Sequence, residues 1–327
     1  MARADTFTGG LDMRLLNLEE GCYPGQADPF ILKSGGRYYI YVTGHDAIYA
    51  YHSDHLLEGW QYYGPVMTVP GLSAFWAPSV IELDGKFYMY NSMEIDTDTP
   101  DAGGHTGAMH VSVADHPLGP FRVMKQILPP FSIDSHIVQN EAGLFLFYSS
   151  NRFEGERIGT CIYADRMLDP FTPAGSPVLV VEPTMDEDIY WRDRYKQGQH
   201  WHTIEGAFYF REGDWQYVMY SGNCFEQPTY YVGYARAKTA ETDLTKIKFE
   251  KYPDAHTYCP VLKANEFEEG TGHHSMIKEN DQWYAVYHAR DYGFASGANA
   301  FDARNARICK LHVHDGIITA ERYQDHI

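Results

Sequence analysis

The chain contains few basic residues and no long apolar stretch. Of its 327 residues, 26 are Lys or Arg and 44 are Asp or Glu, which gives a formal net charge of -18 at pH 7. Nucleic acid and anionic membrane surfaces would repel such a chain over a Debye length or more, so neither is expected as a partner. No apolar run reaches the roughly 18 residues that a membrane-spanning helix requires. A neutral partner is therefore the better expectation.

Cysteine is also scarce. The five cysteines are odd in number and widely spaced, and they include no C-x-x-C pair: Cys22, Cys161, Cys224, Cys259 and Cys309. This argues against a disulfide framework and a structural zinc site, and predicts small buried side chains. The N-terminal residues MARADTFTGGLDMRLL show no apolar core of a secretory signal, so cytoplasmic residence is expected.

Aromatic residues, by contrast, are abundant. They make up 15% of the chain, with 26 Tyr among them. Gly and Pro interrupt nearly every apolar run, and no helical heptad is present, which predicts a mostly β protein. Five segments repeat one hairpin pattern, in which a strand-like run turns through a short polar loop and closes on an aromatic-rich strand. They are ADPFILKSGGRYYIYVTG from Ala27, WAPSVIELDGKFYMYNSM from Trp76, IDSHIVQNEAGLFLFYSS from Ile133, IEGAFYFREGDWQYVMYSGN from Ile204 and GHHSMIKENDQWYAVYHAR from Gly272.

The number of hairpins favours a radial repeat in one domain. Five copies leave roughly 65 residues each, about what a four-stranded blade with its loops requires. We therefore expect a single domain over residues 1–327, with equivalent strands starting at a common axis. The residues at the heads of the copies would then share one pocket. They are Asp28, the Trp76–Ala77 pair, Asp134, Glu205 and the His273–His274 pair.

Three of the five heads are carboxylates, which suits the hydrolysis of a glycosidic bond. That reaction needs one carboxylic acid to protonate the leaving oxygen and one carboxylate to activate water or attack the sugar. A third carboxylate nearby would raise the pKa of the acid through like-charge repulsion. Pro29 fixes the strand entry after Asp28, and Gly206 permits close approach after Glu205.

The head motifs resemble, in order, those of glycoside hydrolase family 43. They are ADPF around Asp28, WAPS around Trp76, IDSH around Asp134, IEGA around Glu205 and GTGHHS around His273. The resemblance spans almost the whole chain and implies an all-β, five-bladed β-propeller with four-stranded antiparallel blades around a central axis. It also implies an inverting glycosidase that acts mainly on arabinofuranose and xylose residues of plant polysaccharides.

The same resemblance implies roles for the three carboxylates. By matching position, Asp28 resembles the general base and Glu205 the general acid. Asp134 resembles the residue that orients this acid and raises its pKa. Ala207 stands where many relatives place Pro, a departure that affects strand geometry and not the acid. For an inverting enzyme we expect the carboxyl groups of Asp28 and Glu205 to lie roughly 6.5 to 9.5 Å apart.

The histidines are candidates for metal binding and for lining the pocket. By the resemblance, His273 faces the propeller axis and helps to hold a structural calcium ion, largely through water, while the chemistry itself requires no cofactor. Calcium prefers oxygen ligands, and no loop dense in acids is present. His200 and His202 could suggest a zinc pair, but no third ligand stands out. We expect His202 to line the sugar pocket beside Glu205, and His136 and His288 to line the ring or to be buried partners.

Sugar binding requires flat apolar faces bordered by polar groups. Candidates are Phe75 and Trp76, which start the second blade, and Trp201 and Phe225, which flank the Glu205 hairpin. Trp76 is favoured because it occupies a head position. Arg304 or Arg307 is expected to reach a sugar hydroxyl or Asp134, although Arg307 could equally be a structural ion-pair partner. The polar, aromatic-rich segment 183–202 is interpreted as a long rim loop on the leaving-group side.

Other propeller classes fit less well. The S-x-D-x-G-x-T-W boxes of sialidases and the dipeptide signatures of WD propellers are missing, and only Asp28-Pro29 remains of the W-M-N-D-P opening of fructan-acting relatives. A sugar-binding propeller without catalysis is the non-enzyme alternative. The first expectation is an exo-acting α-L-arabinofuranosidase on short arabinose- or xylose-containing oligosaccharides, and a β-xylosidase is second.

Overall fold

The protein consists almost entirely of β-strands in a computed structural model that describes residues 25–94, 106–293 and 304–322. These residues form 22 strands, and their helical segments are two 3-10 turns, Asp186–Asp188 and Leu244–Lys246. No helix in the described part of the chain is long and apolar enough to cross a membrane. The predicted all-β class is confirmed.

The strands form five blades that follow one another along the chain. Blade 1 contains β1 (Phe30–Ser34), β2 (Arg37–Val42), β3 (Ile48–Ser53) and β4 (Gln61–Met67). Blade 2 contains β5 (Ser73–Leu83), β6 (Lys86–Glu94), β7 (Gly107–Ala114) and β8 (Arg122–Pro130). Blade 3 contains β9 (Ser132–Asn140), β10 (Gly143–Arg152) and β11 (Gly159–Asp169), and its outer strand is split into β12 (Thr172–Pro173) and β13 (Val178–Val181).

Blade 4 is preceded by an additional strand, β14 (Ile189–Lys196), which pairs with the start of β15. The blade itself contains β15 (Gln199–Glu212), β16 (Trp215–Gly222), β17 (Tyr231–Lys238) and β18 (Glu250–Lys251). Blade 5 contains β19 (Glu268–Glu279), β20 (Gln282–Asp291), β21 (Asn305–His314) and β22 (Ile317–Glu321). Neighbouring strands within each blade run antiparallel.

Blades 3 and 4 are joined by a short parallel bridge between β11 and β15. Gly159 faces His202 there, and a Cβ at Gly159 would lie only 1.8 Å from the carbonyl oxygen of His202. Its φ of +148° is also unfavourable for other residues. Glycine is therefore required where these two blades come closest.

The core of the propeller lies between the blades. Five apolar clusters are found among the described residues, one in each gap between neighbouring blades. Along β10, Phe145 and Phe147 face blade 4, whereas Leu146 and Tyr148 face blade 2. Because alternate residues point to opposite faces and both faces are buried, the middle strands need apolar side chains at every position. This explains the aromatic-rich runs of the sequence.

The ring closes between blade 5 and blade 1. Ile40 of β2 lies in one cluster with Val286 of β20 and Ile308 of β21. The Ser275 hydroxyl also accepts a hydrogen bond from the Ile31 amide at 2.9 Å and donates one to the Pro29 carbonyl at 2.8 Å. First and last blade are therefore joined by packing and by hydrogen bonds, as the five-bladed propeller prediction requires.

Tight turns connect the two strands of the predicted hairpins. In three of them the two central residues both have positive φ, as a type I′ turn requires. These pairs are Gly35–Gly36, Asp84–Gly85 and Asn280–Asp281. Glycine, Asn and Asp adopt this conformation more easily than other residues, so the turns follow from the sequence.

The heads of the copies share a backbone feature. Each inner strand or strand entry has a residue with positive φ at its head: 52° at Asp28, 48° at Ala77, 58° at Asp134, 63° at Gly206 and 40° at His273. In blades 2 to 5 the ladder to the next strand slips at this point, which marks a β-bulge. Gly206 and not Glu205 is thus the equivalent of Asp28 and Asp134, so the predicted alignment is wrong by one residue in blade 4.

The cysteine prediction is confirmed for three of the five side chains. Cys161, Cys224 and Cys309 are buried, whereas Cys259 is exposed, which the prediction did not anticipate. Cys22 lies outside the described residues, as do residues 1–24 in general. The single domain over residues 1–327 accordingly stays a prediction, although the five blades extend from Phe30 to Glu321.

Candidate active site

A cavity of about 380 Å³ lies where the inner strands begin. Every blade contributes to its wall, and the contributing head residues are Asp28, Trp76, Asp134, Glu205 and His273. Residues that are up to 245 positions apart in sequence are therefore brought together by the radial repeat, since 273 minus 28 is 245. In blades 2 to 5 the left-handed head residue lies at a β-bulge of the inner strand, and it or the residue before it lines this cavity.

Both carboxylate oxygens of Asp28 contact neighbouring side chains. The Thr43 hydroxyl donates a hydrogen bond of 2.6 Å to Oδ2. Oδ1 faces blade 5, where His273 Nδ1 and His288 Nδ1 each lie 3.3 Å away and Arg304 Nη1 lies 3.7 Å away. The Asp28 side chain is 11% exposed, so it still reaches the cavity.

The surroundings of Asp28 favour its ionised form. Burial alone would raise the pKa of Asp28, but His273, His288 and Arg304 outweigh it and hold this pKa well below its usual range. Burial also lowers the pKa of His288 to about 3 and that of His273 below its ordinary value. Both rings are therefore neutral near pH 7, and the lasting positive charge beside Asp28 is the Arg304 guanidinium. Asp28 is a carboxylate at neutral pH.

Glu205 has the opposite character. Its pKa is raised to about 7, mainly by burial; the hydrogen bond from Tyr230 opposes the rise, the charge of Asp28 adds to it, and the charge of Arg304 opposes it. The Tyr230 hydroxyl donates this bond to Oε1 at 2.6 Å. Near neutral pH a large fraction of Glu205 is therefore protonated. Asp28 and Glu205 thus line one cavity with very different affinities for a proton.

Asp134 is 5% exposed, and its Oδ2 accepts a hydrogen bond of 3.2 Å from the Gly206 amide, next to Glu205 in the chain. Burial, then the charges of Glu205 and Asp28, raise the pKa of Asp134 well above its ordinary value. Repulsion between two carboxylates is mutual, so Asp134 and Glu205 titrate as a pair. Burial is the first cause for both groups, a contribution that the sequence-based argument from charge left out.

Several of the predicted sugar-binding residues lie in the cavity wall. Trp76, Trp201, Phe225 and Arg304 all line it. Arg304 lies beside Asp28, and its guanidinium packs over the Phe225 ring at 4.8 Å. Their contacts with sugar stay predictions.

The prediction for Phe75 is wrong. Its side chain is fully buried in the core between blades 1 and 2, and its backbone exchanges hydrogen bonds with Gly44. Phe75 precedes Trp76 on β5, and successive side chains of a strand point to opposite faces. The two aromatic residues therefore cannot both face the cavity.

The prediction for His202 is also wrong. His202 is 4% exposed and does not line the cavity. Its Nδ1 donates to the Ile158 carbonyl at 3.2 Å, and Arg157 donates to its Nε2 at 3.0 Å. On β15 its neighbours Trp201 and Thr203 face the cavity instead, because side chains alternate along the strand.

Arg307 does not reach the cavity either. It is 3% exposed, and it forms ion pairs with Glu268 at 3.3 Å and with Asp291 at 2.7 Å. Arg307 is therefore a structural ion-pair partner, the second of the two roles expected for it. Arg304 on the preceding segment takes the position beside the carboxylates.

The side chains of the described residues offer few direct ligands for a calcium ion. Among the described residues no group of three or more His, Cys, Asp or Glu side chains is arranged to hold a metal ion. His273 lines the cavity beside Asp28, so water would have to supply the oxygen ligands that calcium prefers. Calcium at the axis stays a prediction. The zinc alternative gains nothing from His200 and His202, whose ring centroids are 6.4 Å apart.

Some residues of the site were not predicted. Thr43 and Tyr230 hold the two carboxyl groups, and Trp191 and Arg194 of β14 form part of the rim. Segment 183–202 signalled a rim, but no motif marked Thr43 or Tyr230. The one trace of Tyr230 is Gly272 in the GTGHHS motif, since a Cβ there would lie 1.9 Å from the Tyr230 ring.

A five-bladed propeller with carboxyl groups of opposite proton affinity in an axial cavity is the arrangement expected of a glycosidase. The sequence model of glycosyl hydrolases family 43 matches residues 23–318, which is most of the chain. The protein belongs to this family, and the predicted resemblance is confirmed.

Individual relatives agree with the family but differ in substrate. An extracellular exo-α-(1→5)-L-arabinofuranosidase of Streptomyces avermitilis is 26% identical over 251 residues, which are 72% of this chain and 47% of that protein. The chain thus spans about half the length of this curated relative. The crystal structure of a thermostable family-43 glycoside hydrolase is 26% identical, with a TM-score of 0.73 over 91% of this chain and 93% of the other. A xylan β-1,4-xylosidase from Bacillus halodurans C-125 shares the fold at 16% identity, with a TM-score of 0.69 over 93% and 56% of the two chains.

Proposed function

We propose that the protein is an inverting exo-glycosidase that releases arabinofuranose from short arabino-oligosaccharides or arabinoxylan-derived oligosaccharides. The observation that carries this proposal is the unequal acidity of Asp28 and Glu205 within one cavity. Two carboxyl groups whose surroundings push their pKa values apart can act at the same pH as base and acid. Glycoside hydrolysis by inversion needs this pair.

Asp28 is the proposed base. Ionised at neutral pH, it can accept a proton from a water molecule that attacks the anomeric carbon. Thr43 holds Oδ2, while Arg304 stabilises the negative charge at Oδ1. These contacts fix the carboxylate before the substrate arrives, so little reorganisation is needed during the reaction.

Glu205 is the proposed acid. With a pKa raised to about 7, it keeps its proton over much of the neutral range and can transfer it to the departing oxygen. Asp134 is the proposed supporting carboxylate. It accepts the Gly206 amide hydrogen bond, which holds the backbone next to Glu205. Repulsion between the two carboxyl groups raises the pKa of Asp134 and opposes the ionisation of both together.

The rim formed by β14 and the start of β15 supports an oligosaccharide rather than a simple glycoside as substrate. Arg194 lies over three aromatic rings, at 5.0 Å from Trp191, 5.5 Å from Tyr195 and 4.9 Å from Trp201. Trp191 is 53% exposed and also lines the cavity. An exposed aromatic face with an adjacent guanidinium suits the apolar face and hydroxyl groups of a further sugar unit.

Arabinofuranose is the first choice because the Streptomyces relative is described as an exo-acting arabinofuranosidase. β-Xylosidase activity is the second candidate, supported by the shared fold of the Bacillus xylosidase. Relative rates on p-nitrophenyl α-L-arabinofuranoside and β-D-xyloside would decide between them. Release of sugar from neither substrate, nor from arabino-oligosaccharides, would favour the non-catalytic sugar-binding alternative.

Stereochemistry provides the sharpest test of the proposed mechanism. Proton NMR of the first-formed product should show inversion at the anomeric centre, and Asp28→Ala should remove activity on every substrate. Asp28→Asn is the matched control for shape, since it keeps the size of the side chain but cannot act as a base. A product of retained configuration would rule out the base role of Asp28.

A further inference from the structure

Tyr230 is a fully buried residue that contacts the proposed acid directly. Its hydroxyl donates a hydrogen bond of 2.6 Å to Glu205 Oε1, and its side chain is 0% exposed. It lies in the segment between β16 and β17, immediately before β17, and it lines the cavity. Neither the motifs nor the family resemblance pointed to this residue.

The Tyr230 ring is fixed by two contacts with blade 5. It stacks on His288 with the ring centroids 5.7 Å apart and the planes at 11°. Gly272 lies against the ring, and a Cβ at Gly272 would come within 1.9 Å of Tyr230 Cε1. The hydroxyl therefore has a defined position, because the ring that carries it cannot move without displacing blade 5.

His288 extends this support to the proposed base. The Asp28 amide donates a hydrogen bond of 3.2 Å to His288 Nδ1. The chain of contacts runs from Glu205 through Tyr230 and His288 to Asp28. The two carboxyl groups that must be placed on opposite sides of the scissile bond are thus positioned by one packed pair of rings.

We propose that Tyr230 is a positioning residue for Glu205: its hydroxyl occupies Oε1, so that Oε2 carries the proton delivered to the leaving oxygen. This inference rests on the proposed role of Glu205 as general acid. In the protonated state Oε1 is the carbonyl-type oxygen that accepts from Tyr230. After proton transfer to the leaving oxygen, Glu205 is a carboxylate, and the same hydrogen bond becomes charge-assisted and stronger. The interaction therefore increases along the reaction, which is the condition for lowering the barrier.

Tyr230 keeps its proton in the working pH range and can therefore donate to Glu205. Burial, and then the charge of Glu205 and the hydrogen bond to it, raise the pKa of Tyr230 well above its ordinary value. Several other groups face Glu205 and share its electrostatic environment. They are Asp28, Asp134, Tyr190, Cys224 and Arg304. A change at Tyr230 alone leaves all of them in place.

Tyr230→Phe is the decisive variant, and the neighbouring Tyr231→Phe is its matched control. Tyr231 is also buried and donates a hydrogen bond to a carboxylate, Asp188 Oδ1 at 2.5 Å, but it does not line the cavity. Asp188 keeps the Thr184 and Met185 amides and Lys251 as donors after this change. Each substitution removes one hydroxyl and keeps the ring.

We expect Tyr230→Phe to lower kcat/KM on oligosaccharides by about 10- to 100-fold, the loss typical of a hydrogen bond to a charged group. The alkaline limb of the plot of kcat/KM against pH should move to higher pH. The ionised form of Glu205 loses the hydrogen bond from Tyr230, so the pKa of Glu205 rises. An activated p-nitrophenyl substrate should lose less, since its leaving group needs little protonation. Tyr231→Phe should leave the limb in place.

Two further measurements keep the inference falsifiable. Replacing Tyr230 by 3-fluorotyrosine strengthens the donor and should move the limb the other way, to lower pH. Carbon-13 NMR of the Glu205 carboxyl, assigned with Glu205→Gln, should show a higher pKa in Tyr230→Phe whether or not the enzyme turns over. An unmoved carboxyl titration and limb, with equal losses on both substrates, would overturn the positioning role. Full turnover of oligosaccharides by Glu205→Ala would instead overturn the proposed function.

Discussion

Replacing Arg304 by Met should move both limbs of the kcat/KM profile to higher pH. Burial raises the pKa of Asp28 and of Glu205, and the Arg304 guanidinium opposes that rise in both cases. Without this positive charge the ionised forms are less stable, so both pKa values increase. The acid limb reports protonation of Asp28, and the alkaline limb reports ionisation of Glu205, so both limbs shift in the same direction.

The structure sets bounds on the size of this shift. Arg304 Nη1 lies 3.7 Å from Asp28 Oδ1. At that distance two unit charges interact by about 4.5 kcal/mol at an effective dielectric constant of about 20, and by about 1 kcal/mol in bulk water. Because the Asp28 side chain is 11% exposed, the true value lies between these bounds. A rise of about one to three units in the pKa of Asp28 is expected.

The assay is kcat/KM on an arabino-oligosaccharide over the full range of pH in which the protein stays folded. Arg304→Lys keeps the positive charge and should shift the limbs much less. Met retains an apolar contact with the Phe225 ring, so a general collapse of the site is not expected. If Arg304→Met raises KM but moves neither limb, Arg304 binds sugar and does not control the charge of Asp28.

Two other substitutions test the remaining carboxylates. Glu205→Ala should abolish turnover of oligosaccharides but spare substrates with activated phenolate leaving groups, whereas equal losses on both would contradict the acid role. Asp134→Asn keeps the shape and an acceptor for the Gly206 amide but removes the charge, so the alkaline limb should move to lower pH. A downward shift of one unit from a Glu205 pKa of about 7 leaves roughly 9% of the acid protonated at pH 7 instead of half, an approximately five-fold loss. Full activity with an unmoved limb would make Asp134 a strand-end residue without an electrostatic role.

The part of the fold that sequence predicts well is local. The turn pairs Gly35–Gly36 and Asp84–Gly85 have the left-handed conformation that their residue types favour, so the hairpins could be located. The alternation of side chains along β10 likewise follows from its apolar pattern. Five such hairpins in one chain were sufficient to predict the number of blades.

The wrong predictions for the site concern the face of the strand to which a side chain points. Phe75 and His202 each lie next to a residue that faces the cavity, Trp76 and Trp201, and therefore point away from it. A β-bulge shifts the alternation of side chains between the two faces by one residue. The position of a bulge depends on backbone conformations that sequence patterns specify only weakly. The displacement of Glu205 by one position from Asp28 and Asp134 has the same origin.

Contacts between distant segments were beyond the sequence argument. Thr43 and Tyr230 carry no motif, yet they bond to Asp28 and Glu205 at 2.6 Å each. A Thr or Tyr hydroxyl can bond to any nearby acceptor, so only the folded structure decides which carboxyl group it meets. The electrostatic contribution of burial was missed for the same reason.

The propeller also explains why equivalent positions acquire unequal chemistry. Asp28 faces the last blade across the closure of the ring, where the Arg304 guanidinium stabilises its charge. Glu205 comes from the residue before the left-handed head of blade 4, so its carboxyl group meets Tyr230 and lies near Asp134. A displacement of one residue and a different neighbouring blade thus give the two carboxyl groups the opposite proton affinities that the proposed base and acid require. A glutamate at position 206 would be equivalent to Asp28 and Asp134. It would need a φ of about +63°, and its Cβ would lie 3.4 Å from the His273 ring, so this exchange is unfavourable.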